Sequence, residues 1–290
     1  MSGSSVPILD RIMARKRDEV IRARRQVPEA RLLQQIGEMP PARGFANALL
    51  EATRPCRIRA GGKLAIIAEV KFGSPSKGRI HPESADPVSP AWVAAGYAEH
   101  GATCLSCLTD RDFFMGDDAF VAAIRQEVAL PVLRKDFLFD PYQVVQSRAL
   151  GADAILLILA VLQREQALEL EAAARELGLD VLVEIHDEAE LERAHDLKTP
   201  LFGINNRNLK TFVTTLDTSI RLARRVEPGR LVVAESGIHS AQDILRLQQQ
   251  DVSAFLIGEA FMRSANPGAA LGAMLAECGK KPPEGVTAEG

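Results

Sequence analysis

The sequence has few cysteines, no marked excess of one charge and no long apolar run, and each shortage removes a class of protein. Four cysteines, Cys56, Cys104, Cys107 and Cys278, are too few and too scattered over 290 residues to frame a disulfide-stapled fold. A net charge of -3 gives no overall attraction to nucleic acid or to acidic membranes. No apolar stretch approaches the roughly 18 residues that span a bilayer. The opening MSGSSVPILDRIMARKR has no signal-peptide apolar core, so a cytoplasmic location is expected. No G-x-G-x-x-G follows an early strand, and GSPSKG at 73–78 misses the P-loop spacing, which argues against dinucleotide and nucleoside-triphosphate chemistry. Cys104 and Cys107 spell C-x-x-C, the usual prompt for zinc or redox chemistry. They fall inside a strand pattern, where positions i and i+3 face opposite sides, so buried structural thiols are expected and no metal site.

What is present is a regular grammar. Short β-rich apolar runs occur at Leu64–Val70, Thr103–Leu108, Val132–Lys135, Ala154–Leu157, Val181–Glu184, Leu201–Asn205, Leu231–Glu235 and Ala254–Gly258. Helical stretches separate them, with clear punctuation. Asp140-Pro141 opens one and Gly151 closes it, Gly178 closes the next, and Ser240 with Asp243 forms a capping-box pattern. The runs are continuously apolar rather than alternating, as parallel strands covered by helices should be. Eight such units predict an α/β fold, a closed (β/α)8 TIM barrel, over 63–277. Before it, Ile8–Gln35 reads as one basic amphipathic helix and Gly44–Glu51 as a short second one, followed by a linker at Pro55–Gly62. Residues 1–62 are expected to cover the barrel mouth, and 278–290 to be a polar tail. The basic helix raises the possibility of an RNA or membrane surface, but its interspersed Asp10, Asp18 and Glu19 favour a solvated helix packed on the main domain.

In such barrels the site lies at the C-terminal ends of the strands. The first run ends in Glu69 and Lys71, the third in Lys135, the fifth in Glu184, the sixth in Asn205 and Arg207, and the seventh in Glu235 and Ser236. Any one of these reads equally well as a structural ion pair or helix cap. Five strand ends in register argue for a site, because charges that terminate apolar runs are costly unless paired or used on a ligand. Glycines after the seventh and eighth runs, Gly237 and Gly258, fall where barrels hold a phosphate, so a phosphorylated small molecule is the expected ligand.

These residues carry a resemblance. IAEVKFGSPSKG, LRKDFLFDPYQV, LVEIHDEAEL, GINNRNL and AESGI together resemble the indole-3-glycerol phosphate synthase family over Ile8–Glu277. The resemblance implies a carboxy-lyase of tryptophan biosynthesis that needs no cofactor. It would convert 1-(2-carboxyphenylamino)-1-deoxyribulose 5-phosphate to indole-3-glycerol phosphate with loss of carbon dioxide and water. It assigns Lys135 as general acid, with a pKa expected to be lowered by desolvation, and Lys71 as holder of the substrate carboxylate or second acid. Glu184 is the base of the dehydration, and Glu69 orients the lysines. Asn205, Arg207, Glu235 and Ser236 are assigned to substrate polar groups, and Leu108, Phe114, Phe137 and Leu209 to the anthranilate ring. Ser74, Ser236, Gly237, Gly258 and Glu259 are assigned to the phosphate. Glu259 stands where many relatives have serine, and is expected to offer only its backbone N–H and turn its side chain to solvent. A monomer or weak homo-oligomer is expected, without the isomerase domain fused to the enzyme in some organisms. A sugar-phosphate isomerase on the same barrel and a non-catalytic scaffold are the competing readings.

Overall fold

Eight apolar runs become eight parallel strands of one closed barrel in the computed structural model, which describes residues 7–54, 64–82 and 88–279. The strands are β1 Ala65–Val70, β2 Cys104–Leu108, β3 Val132–Lys135, β4 Ala154–Ile158, β5 Asp180–Ile185, β6 Leu201–Asn205, β7 Leu231–Glu235 and β8 Ala254–Ile257. Each pairs with its neighbour in sequence, and β1 closes the ring against β8 through Ala65 opposite Ala254. Asp140 and Pro141 open one helix as expected and add a capping box with Gln143, Gly151 closes it at a left-handed φ of 95°, and Ser240 with Asp243 forms the expected capping box. A two-residue-arm hairpin, Gly73–Ser74 with Gly78–Arg79, follows β1.

Strand parity decides what faces the barrel axis. Ala65, Ile67, Cys104, Leu133, Ala154, Leu156, Leu182, Leu201, Val233, Ala254 and Leu256 form one buried inner cluster. The alternate residues Ile66, Ala68, Leu105, Val132, Ile155, Val181, Val183, Phe202 and Phe255 pack outward under the helices. Cys104 falls inside and Cys107 outside, so the two thiols do separate, and both are free and buried. Burial pushes both thiols far up, which keeps them protonated. Cys56 and the linker at 55–62 lie outside the described residues, as does the tail beyond Gly279.

The N-terminal segment departs from expectation twice. The single helix expected over Ile8–Gln35 is two, α1 Ile8–Gln26 and α2 Glu29–Gly37. Pro28 separates them, and the residue before a proline is forced out of the helical region, here Val27 at φ -131° and ψ 98°. The second departure is where the segment lies. Only α1 reaches the mouth, while α2 packs beside the helix Pro141–Leu150. The third helix, α3 Phe45–Thr53, seals the opposite end, with Phe45, Ala46 and Leu49 buried against the first residues of β1, β2, β4, β6 and β8. There the Ala46 N–H donates to Asp180 at 2.8 Å and the Arg43 N–H to Asp153 at 2.8 Å.

Candidate active site

The inward parity that makes the lower barrel apolar turns polar at its last step. Continuing Ala65 and Ile67 gives Glu69 and then Lys71; continuing Leu133 gives Lys135, and Leu182 gives Glu184. Leu201 and Gly203 lead to Asn205, and Val233 leads to Glu235. All sixteen residues singled out from the sequence line one cavity at the C-terminal mouth. They share it with residues sequence reasoning did not select: Leu156 and Ile158 of β4, Leu256, Ile238, Phe212, and Ile8, Leu9 and Ile12 of α1.

Lys135 is the hub of the floor. Its ammonium donates to Glu184 Oε2 at 3.1 Å and to Glu235 Oε2 at 2.9 Å. Burial would lower its pKa, but Glu235, Glu184 and Glu69 outweigh burial and hold it raised. The lowering expected from desolvation alone is therefore wrong, because three carboxylates surround the charge. Glu184 also accepts from Asn205 Nδ2 at 3.1 Å, and its Oε1 lies 3.3 Å from His186 Nε2. Burial works against its charge, but Lys135, His186 and Asn205 prevail and hold it below the usual carboxylate range. Glu235 has fewer donors: one oxygen meets Lys135 while Oε1 is buried without a partner. Burial, with Glu184 and Glu69 adding repulsion against the pull of Lys135, pushes Glu235 up to about 7. Glu69 and Lys71 form a direct ion pair, as their two-residue spacing implied.

Phe114 and Phe137 touch each other, with ring centroids 6.0 Å apart and planes tilted by 39°, and they line the cavity together with Leu108 and Leu209. This is an apolar wall for a flat ring to lie against. Ser236 and Gly237, also on the cavity lining, take successive positive φ values of 63° and 77° in the turn after β7. A side chain at Gly237 would lie 2.6 Å from Thr214 Cγ2, so the tight turn requires glycine on two counts. Ser74 Oγ is buried, unpartnered and on the same cavity wall.

Glu259 corrects the expectation that its side chain faces solvent. It is 12% exposed, receives Arg207 at 3.3 Å and Arg263 at 2.7 Å, and so occupies the anion side of the mouth itself. Burial opposes its charge, but Arg263, Arg207 and Lys71 outweigh burial and keep its carboxyl below the usual range. Attraction to three cations is the physical reason it turns inward.

The basic face of α1 is spoken for by the barrel. Lys16 is 4% exposed and meets Asp110 at 3.0 Å, Asp136 at 2.9 Å and Glu19 at 2.7 Å. Arg24 meets Asp140 at 2.6 Å, and Arg15 pairs with Asp112. These cations answer carboxylates of the mouth, which supports the packed-helix reading over a nucleic-acid surface.

Fold and site together define a (β/α)8-barrel protein with a charged reaction chamber at the strand C-termini, roofed by an N-terminal helix. The family model for indole-3-glycerol phosphate synthase matches residues 9–274, and the chain belongs to that family. An indole-3-glycerol phosphate synthase of Magnetococcus marinus is 59% identical over 92% of this chain and 97% of its own length. The one from Bordetella pertussis is 48% identical over 93% and 99%. Among solved structures, thiamine phosphate pyrophosphorylase of Pyrococcus furiosus superposes with a TM-score of 0.55 at 16% identity, covering 75% of this chain and 98% of its own. A tryptophan synthase complex of Pyrococcus furiosus gives 0.54 at 15%, covering 74% and 97%, and such likeness speaks to the barrel alone.

Proposed function

We propose that this chain catalyses the reaction its family is named for, closing 1-(2-carboxyphenylamino)-1-deoxyribulose 5-phosphate to indole-3-glycerol phosphate without a cofactor. The observation that carries the reading is Lys135, an ammonium fixed between Glu184 and Glu235 in the cavity that Phe114 and Phe137 also line. The anthranilate ring lies against that aromatic wall, Lys71 holds its carboxylate, and the phosphate rests on the N–H groups of Ser236, Gly237, Gly258 and Glu259 with Ser74 Oγ. The ring carbon bearing the carboxylate then bonds to the ketone carbon, and the carbonyl oxygen takes a proton from Lys135. The raised pKa of Lys135 keeps that proton in place until an alkoxide, a stronger base, develops beside it. Carbon dioxide leaves, and the bond electrons begin to restore the aromatic ring. Glu184 then takes a ring proton while Lys71, released from the departed carboxylate, gives the hydroxyl the proton with which it leaves as water, and this completes the indole. Glu69 orients Lys71, and Asn205 and Arg207 hold substrate oxygens.

In this reading residues 63–277 are the catalytic domain and the N-terminal segment its roof and base. The protein works in the cytoplasm as a monomer or weak homo-oligomer; among the described residues no helix is long and apolar enough to cross a membrane. Indole fluorescence tests the proposal: substrate mixed with pure protein gives a rise, and Lys135→Ala abolishes it while circular dichroism is unchanged. A flat trace from folded wild-type protein would sink the synthase reading and favour sugar-phosphate isomerisation.

A further inference from the structure

His186 continues the inward parity of Leu182 and Glu184 on β5, yet it does not line the cavity. Its ring lies behind Glu184, with Nε2 3.3 Å from Glu184 Oε1. On its other side Nδ1 donates to Glu190 Oε2 at 3.0 Å, and the backbone N–H of His186 donates to the same oxygen at 2.8 Å. Glu190 is itself buried and fixed, its own N–H capped by Asp187 at 2.9 Å. Glu190 thus grips one histidine at its backbone N–H and at a single ring nitrogen, which leaves the buried Nε2, with no hydrogen-bond partner of its own, turned toward a second carboxylate in the chamber. A helix cap alone would need Glu190 but not the ring.

We infer that His186, oriented by Glu190, is a positioning residue that holds the Glu184 carboxylate in place for the proton it takes from substrate. This rests on the reading of Glu184 as the base. The charged groups facing Glu184 are Lys135 from β3 and Glu235 from β7, with the neutral Asn205 from β6 and Glu69 of β1 acting through Lys135. Those facing His186 are Glu184 and Glu190. Burial opposes the charged ring, but Glu184 and Glu190 hold His186 up at about 10, so it is an imidazolium throughout the neutral range. Glu184 thus has two cationic neighbours, one of which the substrate draws away when Lys135 turns to the ketone. His186 is the one that stays.

The test is kcat and KM against pH for wild type, His186→Gln and Glu190→Gln, on the full chain with the carboxyphenylamino-deoxyribulose phosphate. His186→Gln keeps a hydrogen-bond donor but no charge. Its kcat falls about tenfold across the neutral range with KM within about twofold. Glu190→Gln leaves the ring but loosens it, and lowers kcat by less. His186→Lys, which restores a cation behind Glu184, recovers part of the loss. An unchanged kcat in both Gln variants, or a loss confined to KM or melting temperature, overturns the inference while leaving the synthase reading intact. Wild-type protein that makes no indole product removes both.

Discussion

Replacing Gly203 with alanine should stop the reaction from a position that touches no substrate. Gly203 faces inward on β6, and a Cβ there would lie 2.2 Å from Glu235 Oε1 and 3.3 Å from Leu182 Cδ1. Oε1 belongs to the same carboxylate whose Oε2 accepts from Lys135, so relieving the collision swings the group toward the cavity and breaks the 2.9 Å bond. Overpacking of this kind costs about 1–3 kcal/mol of stability. In a chain of this size each kcal/mol is worth roughly 2–4 °C of melting temperature. The rate should suffer more. A displacement of about 1 Å in a group that fixes the reacting lysine costs roughly 100-fold in kcat. Indole fluorescence measures the rate, and a melt measures the stability. The decisive experiment is the double-mutant cycle with Glu235→Ala: if the collision with Glu235 is the cause, Gly203→Ala adds little once that carboxylate is gone. Additive effects, or a Gly203→Ala enzyme within twofold of wild type, would refute the reasoning.

Lys16→Met removes the cation between Asp110 and Asp136 and leaves buried Asp110 without it and Asp136 with Arg134 alone, a loss of about 3 kcal/mol by denaturant unfolding at neutral pH. Burial alone would raise Asp136, but Lys16 and Arg134 outweigh it and hold it below the usual range. Its contribution is therefore present above the unfolded-state pKa and lost as pH falls through the folded value, so the gap between wild type and Lys16→Met narrows in acid. Glu259→Ser frees Arg207 and removes a negative charge from the phosphate side of the mouth, and the expected result is a several-fold lower KM with kcat little changed. An increased KM would mean that Glu259 instead orients Arg207 for substrate.

The barrel was legible because each strand is a self-contained signal: continuous apolar residues bounded by caps and glycines. The site was legible for the same reason, since inward parity carries Leu133 to Lys135 and Val233 to Glu235 without reference to anything distant. The same parity carries Leu182 through Glu184 to His186, the spacing that singled out Glu69 and Lys71, so His186 was within reach of the sequence. What makes His186 matter is Glu190, a helix residue whose side chain grips the ring, and no strand pattern carries that contact. The break at Val27-Pro28 was also written in the sequence; the amphipathic stripe on either side of it masked the rule. What lay beyond reach depends on partners far apart in the chain. The raised pKa of Lys135 needs Glu235, a hundred residues later, and the inward turn of Glu259 needs Arg207 and Arg263 together. That α3 stoppers the bottom instead of roofing the mouth is a fact about shape that no local pattern encodes.

Residues 7–54 form a strap that runs from one end of the barrel to the other, and many of its moorings are aspartates that follow it in the chain. Asp110, Asp136 and Asp140 tie down α1, while Asp153 and Asp180 hold the backbone around α3. The strap therefore has little to bind until the middle of the barrel exists. Its docking is a long-range event, of the kind that comes late in folding. Because Asp136 adjoins Lys135, the chamber acquires its finished form only when that last piece is fastened, so activity is a readout of completed assembly rather than of a formed barrel.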